Sequence, residues 1–248
     1  MARVDEVADG VFRIHHVLDA LPGGFSFNQY LVVDDEALLF HTGMAAMASD
    51  VLHAIRRVIP LHQLRYIGVG HVESDECGGL AAILAQAPNA QPLCSRIGAM
   101  TGLADFADGR TPHAAHDDAT IAIGNRPLRW IDAPHVPHGW DNGVLFDERT
   151  QTLLCGDLFS QPGSGDAPHA DGASTLEACE AFRREMDYFS HAPQTLAMLQ
   201  RLAELAPRRL ACMHGSTLEG DGGALLNELG SRLGAPGSET TPPRPPRP

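Results

Sequence analysis

The sequence predicts an α+β fold in which two β-sheets pack together and helices cover their outer faces. A strand-rich stretch is followed by alternating strands and helices, and this order occurs twice in the 248 residues. The composition shows no break before the chain's Pro-rich end, so we expect a single domain over residues 1–235. Residues 236–248 are predicted to form a disordered Pro/Arg-rich tail, with a partner-binding peptide as the alternative.

The first half of the chain opens with apolar runs typical of short strands. Period-2 and continuous apolar runs predict strands, and apolar residues at helical spacing predict helices. The predicted strands are 11–14, 28–33, 37–40, 66–69 and 92–94, and the predicted helices are 44–59, 78–87 and 97–103. Pro60 ends the first of these helices, and the polar segment 105–118 is expected to be a loop.

The second half repeats the order. The predicted strands are 120–123, 128–131, 143–146, 152–155 and 209–213, and the predicted helices are 176–189, 193–205 and 222–233. A loop over residues 160–174, rich in Gly, Ala and Pro, is expected to act as a lid or substrate-binding edge.

Charge and cysteine content exclude several classes of protein. Lys and Arg number 18 against 31 Asp and Glu, for a net charge of −13, which argues against nucleic-acid and anionic-membrane partners. No apolar run approaches the ~20 residues of a membrane helix, and the first residues lack the pattern of a signal peptide. The five cysteines include no Cys-x-x-Cys pair, so we expect a reduced, cytoplasmic protein.

The segment His71-Val72-Glu73-Ser74-Asp75 carries the strongest functional signal. It follows the predicted strand at 66–69 and precedes a predicted helix. Alternate residues of an extended segment share a face, so one imidazole and two carboxylates point to the same region. These groups form a metal-ligand set, and its carboxylates suit harder cations.

Three further candidate ligands, His138, Asp157 and His214, also lie next to predicted strand ends. With Glu76 as a candidate seventh, the ligands are too many for one tetrahedral zinc, and they fit two metals with Asp157 as a bridge. Burying so many carboxylates without metal would be costly, so their convergence would predict a two-metal site.

Each candidate also has a purely structural interpretation. Asp75 could cap the following helix, and Glu76 could interact with the helix dipole. Asp157 could be a turn residue, and His138 and His214 could each be isolated structural histidines. The joint pattern favours the shared site. The remaining polar-context histidines are expected at the surface: His15, His16, His53, His62, His113, His116, His169 and His191.

These motifs resemble the metallo-β-lactamase superfamily, and within it the flavodiiron and oxygen-binding diiron protein (ODP) branch. The superfamily's His-x-His-x-Asp-His motif corresponds to residues 71–76, where Glu73 replaces the second His as in that branch. The resemblance implies a four-layer αββα sandwich. It also implies one metal at His71, Glu73 and His138 and another at Asp75 and His214, with Asp157 bridging; His138 keeps the family spacing better than His135.

The chain departs from the family pattern at two positions. Glu76 replaces the last His of the first motif, so it is either a carboxylate ligand or leaves the second metal more open to water. His41 stands where an Asp commonly precedes Thr-Gly, which changes a hydrogen bond behind the ligands. No flavodoxin domain follows, so any electrons must come from a separate donor protein. Paired subunits, a homodimer here, are usual in that branch.

The favoured function is a diiron protein that binds or reduces O2 or a related small molecule. Iron is expected because of the added carboxylate, with zinc or manganese as alternatives, and Asp75 and Asp157 are the predicted catalytic carboxylates. Trp140, Phe159 and Tyr30 are expected to supply an apolar wall, and His41 and His135 to lie behind or beside the ligands. The alternatives are a zinc- or mixed-metal hydrolase of an ester, thioester or phosphoester that uses a metal-activated hydroxide, and a non-enzymatic O2 sensor.

Overall fold

Two mixed β-sheets form the centre of the protein. The computed structural model describes residues 1–21 and 23–234, and within these residues each sheet has seven strands. The first sheet contains, in chain order and also in spatial order, β1 (Arg3–Ala8), β2 (Val11–Leu18), β3 (Phe25–Val33), β4 (Ala37–Phe40), β5 (Leu64–Gly68), β6 (Gln91–Ser95) and β7 (His113–Ala115).

The second sheet is built from the later strands. They are β8 (Thr120–Ala122), β9 (Pro127–Asp132), β10 (Gly143–Asp147), β11 (Thr152–Gly156), β12 (His169–Asp171), β13 (Arg209–Cys212) and β14 (Thr217–Glu219). Their spatial order is β12-β14-β13-β11-β10-β9-β8. The strand β11 runs parallel to β13, and β4, β5, β6 and β7 run parallel to one another. Loops that follow parallel strands meet at one edge of a sheet, which is where such folds place functional groups.

Helices connect the parallel strands and cover the outer faces. They are α1 (Ala48–Arg56), α2 (Ser74–Cys77), α3 (Leu80–Leu84), α4 (Arg96–Thr101), α5 (Leu103–Phe106), α6 (Gly172–Met186), α7 (Thr195–Ala203) and α8 (Gly222–Leu233), with 3₁₀ turns at Ala45–Met47 and Leu61–Gln63. In the described part of the chain, no helix combines the length and apolar character needed to cross a bilayer.

Three apolar clusters establish four layers. One cluster joins α1 and α3 to the first sheet and includes Val51, Leu80 and Leu39. A second joins α6, α7 and α8 to the second sheet. The third fills the space between the sheets, where Phe40 and Trp130 are buried. The predicted αββα sandwich is therefore confirmed.

Most predicted elements form, but the first strand, β1, was not predicted, and the other differences lie at short strands and helix ends. Helix α8 has the predicted bounds, whereas the predicted helix 44–59 is reduced to a 3₁₀ turn and α1. The three-residue strands β12 and β14 were not anticipated, and β7 interrupts the segment expected to be a loop over 105–118. All five cysteines are free and buried. The predicted tail, residues 236–248, lies outside the described residues.

Candidate metal centre

The candidate ligands lie on loops at the ends of β5, β11 and β13 and between β9 and β10. His71 and Glu73 follow β5, and Asp75 lies in α2 directly after them. Asp157 follows β11, and His214 follows the neighbouring parallel strand β13. The sheet edge thus brings together residues that are far apart in the chain.

One group of four residues surrounds a single point. The ligand atoms of His71, Glu73, His138 and Asp157 all lie within 4.8 Å of one another, a geometry that could hold a metal ion. Glu73 Oε2 is 2.8 Å from His71 Nε2 and 3.3 Å from His138 Nε2. Asp157 Oδ2 is 3.3 Å from His138 Nε2. Gly139 permits this approach, because its φ is +74° and an added Cβ would lie 3.1 Å from the His71 ring.

A second group lies on the other side of Asp157. His214 Nε2 is 3.3 Å from Asp157 Oδ1 and 3.7 Å from Asp75 Oδ2. The two oxygens of Asp157 therefore face different donor groups, which is the arrangement needed for a bridging carboxylate.

The tautomer of His214 indicates what this second group can bind. Its Nδ1 donates a hydrogen bond to the Ser26 carbonyl at 2.7 Å, and its ring stacks on Phe25 with 4.5 Å between centroids. In the neutral ring, Nε2 then presents a lone pair to Asp157 Oδ1, a buried oxygen with no hydrogen-bond donor in the described residues. Two electron-rich atoms at 3.3 Å require a proton or a cation between them, so the residues fit a metal ion.

The candidate ligands strongly affect one another's protonation. Burial and the nearby Asp157 raise the pKa of Asp75 to about 6. Burial lowers the pKa of His71, but the Glu76 charge and the hydrogen bond with Glu73 raise it to about 12. Hydrogen bonds from His138 and His71 hold the pKa of Glu73 well below its usual value. In this state protons on imidazoles compensate the carboxylates, and bound cations would take over that role.

Glu76 and His41 lie behind His71 rather than beside the second donor group. Glu76 is only 1% exposed; its Oε1 lies 3.0 Å from His71 Nδ1, and its Oε2 accepts a hydrogen bond from the His71 backbone N–H at 2.7 Å. His41 Nε2 lies 3.2 Å from Glu76 Oε2 and accepts a hydrogen bond from the Gly70 N–H at 3.1 Å. The His41 ring thus lies beside Glu76, which in turn lies beside His71.

A cavity of about 210 Å³ opens above the ligands. Its wall is formed by side chains that sequence reasoning missed: Phe25, Ser160, Phe182, Met186 and Tyr188. Phe182 and Met186 are four residues apart on α6, so helical spacing could have indicated that they share a face. Tyr188 also packs edge-on against His138, with 6.1 Å between the ring centroids.

The predicted wall of Trp140, Phe159 and Tyr30 is wrong. Tyr30 points between the sheets and donates a hydrogen bond to the Cys212 carbonyl at 2.9 Å. Phe159 is buried in the outer cluster beneath α6, and Trp140 is 58% exposed on a turn. None of the three lines the cavity, because alternation along β3 and local turn geometry direct their side chains elsewhere.

Among the other histidines, the role of His135 stays a prediction, whereas the surface positions expected for His15 and His16 need correction. His135 contributes to its loop through main-chain bonds, donating from its N–H to Gly139 and accepting from Ser190 at its carbonyl. His15 is buried and pairs with Asn28 at 2.9 Å, so it is not a surface residue. His16 is half-buried, and burial lowers its pKa to about 4.

The loop expected to act as a lid is fastened at its base. The Gln161 side chain donates to the Ser216 carbonyl at 2.9 Å and accepts from the Ser216 N–H at 3.0 Å. Gly215 has φ +103° and lies so close to Gln161 that an added Cβ would approach it to 2.4 Å. The Arg13 side chain also donates a hydrogen bond to the Gly165 carbonyl. The end of the segment forms β12 and the start of α6. The loop therefore braces the His214 turn.

The architecture and the sheet-edge donor groups are those of a metallo-β-lactamase-like protein. A family model described as "ODP family beta lactamase" matches residues 25–215, and the chain belongs to that family. This confirms the resemblance inferred from the sequence.

Curated relatives and solved structures are consistent with this assignment. The chain is 26% identical over 219 residues to the rubredoxin-oxygen oxidoreductase of Megalodesulfovibrio gigas, covering 84% of this chain and 53% of that protein. It is 25% identical over 217 residues to the nitric oxide reductase of Moorella thermoacetica, covering 82% and 52%. A flavodiiron protein from Giardia intestinalis has a similar structure, with TM-score 0.79, 20% identity and coverage of 94% of this chain and 59% of that one. The chain spans about half the length of these relatives.

Proposed function

We propose that this chain is a diiron protein that binds or reduces O2 or a related small diatomic molecule such as NO. The observation that carries the proposal is the position of Asp157, whose two oxygens face two separate imidazole–carboxylate groups. One iron would be held by His71, Glu73, His138 and Asp157 Oδ2. The other would be held by Asp75, His214 and Asp157 Oδ1.

The donor chemistry favours iron. Carboxylate oxygens are hard donors, and Glu73 places one among imidazoles where an all-nitrogen set would suit zinc better. Three carboxylates in the two groups also offset most of the charge of two divalent cations. Zinc and manganese remain the alternatives that metal analysis would identify.

The cavity supports a small, uncharged substrate. Phe25, Phe182, Met186 and Tyr188 place apolar side chains beside the open side of the ligands. If the site holds two ferrous ions, they would supply electrons for reducing a diatomic molecule. The protein residues would orient both ions towards one space, and Asp75 would bind there as a deprotonated carboxylate.

The names of the relatives support a redox protein, and a redox protein needs an electron donor. One is named for rubredoxin and oxygen and another for nitric oxide. We propose a separate electron-donor protein for this chain, which the name of the rubredoxin-oxygen oxidoreductase supports, and we propose a homodimer as its assembly. The five free, buried cysteines support a reducing, cytoplasmic setting.

The test is metal analysis of protein purified without oxygen, with visible spectra before and after air. We expect about two iron per chain and a ferric absorption band that develops in air. Asp157→Asn should lose at least one iron and the band, whereas Asp105→Asn, an exposed carboxylate on α5, should keep both.

Two other outcomes would change the assignment. About two zinc per chain with no spectral response would contradict the proposal and direct the search to ester, thioester and phosphoester hydrolysis. A response to O2 that reverses without turnover would identify a sensor, whereas sustained O2 consumption with an electron donor would identify a reductase.

A further inference from the structure

Glu76 stands where the resemblance implies a ligand of the second metal, yet its surroundings connect it to the first. Its carboxylate lies against His71, with Oε1 3.0 Å from Nδ1 and Oε2 accepting the backbone N–H at 2.7 Å. Among the described residues, no nitrogen of the His214 ring lies within 4.0 Å of a Glu76 oxygen, although Asp75 and Asp157 both approach that ring.

Neighbouring residues fix both the main chain and the side chain of Glu76. Its main-chain carbonyl accepts hydrogen bonds from the Thr42 N–H at 2.7 Å and from the Thr42 hydroxyl at 2.9 Å. The His41 ring packs against the Glu76 carboxylate, with His41 Nε2 3.2 Å from Glu76 Oε2. Gly70 leaves room for this contact, because an added Cβ there would lie 2.9 Å from His41 Nε2 and 3.2 Å from Glu76 Oε2. Turning Glu76 towards His214 would break these contacts in a buried site.

We infer that Glu76 is a positioning residue for His71 and not a metal ligand, so that the two metal positions are unequal. The inference rests on the proposed two-metal function. A carboxylate beside Nδ1 favours the tautomer with a proton on Nδ1 and leaves the Nε2 lone pair for the metal. The first position then has four protein donors, and the second has three: Asp75, His214 and the shared Asp157.

This arrangement predicts stepwise metal loading. The first position is complete and its imidazole is held in orientation, so it should bind a divalent ion more tightly than the second. The neutral His41 ring packs against Glu76, but its Nε2 accepts from the Gly70 N–H and so gives the carboxylate no hydrogen bond.

The experiment is titration of the metal-free full chain with Zn²⁺ against a chelating indicator, repeated with Co²⁺ to follow its visible bands. The wild type should bind one ion tightly and a second more weakly. Glu76→Gln keeps the size of the side chain and should weaken the tight step about 10- to 100-fold. The weak step should change less. Glu36→Gln, an exposed change in the β3–β4 turn, should match the wild type.

Nitrogen-15 NMR of the histidine rings gives a readout that a change in fold alone would not move. In the zinc-loaded wild type, the His71 Nδ1 proton should resonate far downfield because the Glu76 carboxylate lies 3.0 Å from Nδ1, and in Glu76→Gln that resonance should move upfield while the His214 signal is unchanged. Loss of the weak step alone in Glu76→Gln, or two equal steps in the wild type, would overturn the inference. A chain that loads Zn²⁺ as expected but, with iron, does not respond to O2 would refute the proposed function and leave the role of Glu76 standing.

Discussion

Glu73 is the residue whose chemistry most directly sets the metal. Its carboxylate lies between His71 and His138, and its side chain is 52% exposed, so a change there does little to the core. Glu73→His replaces a charged oxygen donor with a neutral nitrogen donor. We expect metal content to move from mostly iron towards mostly zinc, measured by elemental analysis after expression in medium containing both metals.

A matched change at Glu36 tests specificity, because Glu36→His adds an imidazole on an exposed turn far along the chain from the ligands. Iron content that stays at the wild-type level in Glu73→His would contradict this account of metal choice.

For individual residues, the sequence predicts the positions of some side chains and not of others. The ligand positions could be predicted because His71, Asp157 and His214 each follow a strand, and strand ends meet at one edge. The placement of Glu76 could not, because it depends on contacts with His41 and Thr42, which directly follow β4 and are more than 30 residues earlier in the chain. Tyr30 was misplaced because its face on β3 depends on register, which one residue reverses.

At the scale of elements, α6 sets the size of the cavity. Phe182 projects from it towards Phe25, with ring centroids 5.7 Å apart, and Met186 lies one turn further on. Phe182→Ala should widen the opening. We expect the metal-loaded variant to bind benzohydroxamate, a bulky metal chelator, more tightly than the wild type does, while acetohydroxamate affinity changes little.

The control for that change is Phe106→Ala, which removes an equally large ring from α5, outside the cavity wall. Equal benzohydroxamate affinity in the wild type and in Phe182→Ala would show that α6 does not limit access.

Elements of different length differ in how well the sequence predicts them. The long strands β2 and β3 and helix α8 carry clear apolar patterns, and all three were predicted. The strands β7, β12 and β14 have three residues each, which is too short for a period, and they form because a neighbouring strand offers unpaired backbone groups. The cavity wall depends on how α6 packs, which local pattern does not specify.

At the scale of the whole molecule, Arg126 links the two sheets at a point away from the metal centre, and it also belongs to a buried ion pair. Arg126 donates to both Asp147 oxygens in the second sheet and to the Val33 carbonyl at the end of β3 in the first. Both charged side chains are at most 1% exposed. The metal centre lies near the other end of β3, where Ser26 accepts from His214. Stability and metal binding should therefore be separable.

Arg126→Met leaves the Asp147 carboxylate buried without its partner, so we expect it to lower the free energy of unfolding by about 3–5 kcal/mol, measured by urea denaturation. Arg129→Met removes the exposed pair with Glu148 and should cost at most about 1 kcal/mol. Metal content should stay at the wild-type level in both folded variants. A loss of metal in Arg126→Met under conditions where it remains folded would show instead that the sheet packing at this end controls the geometry of the ligands at the other.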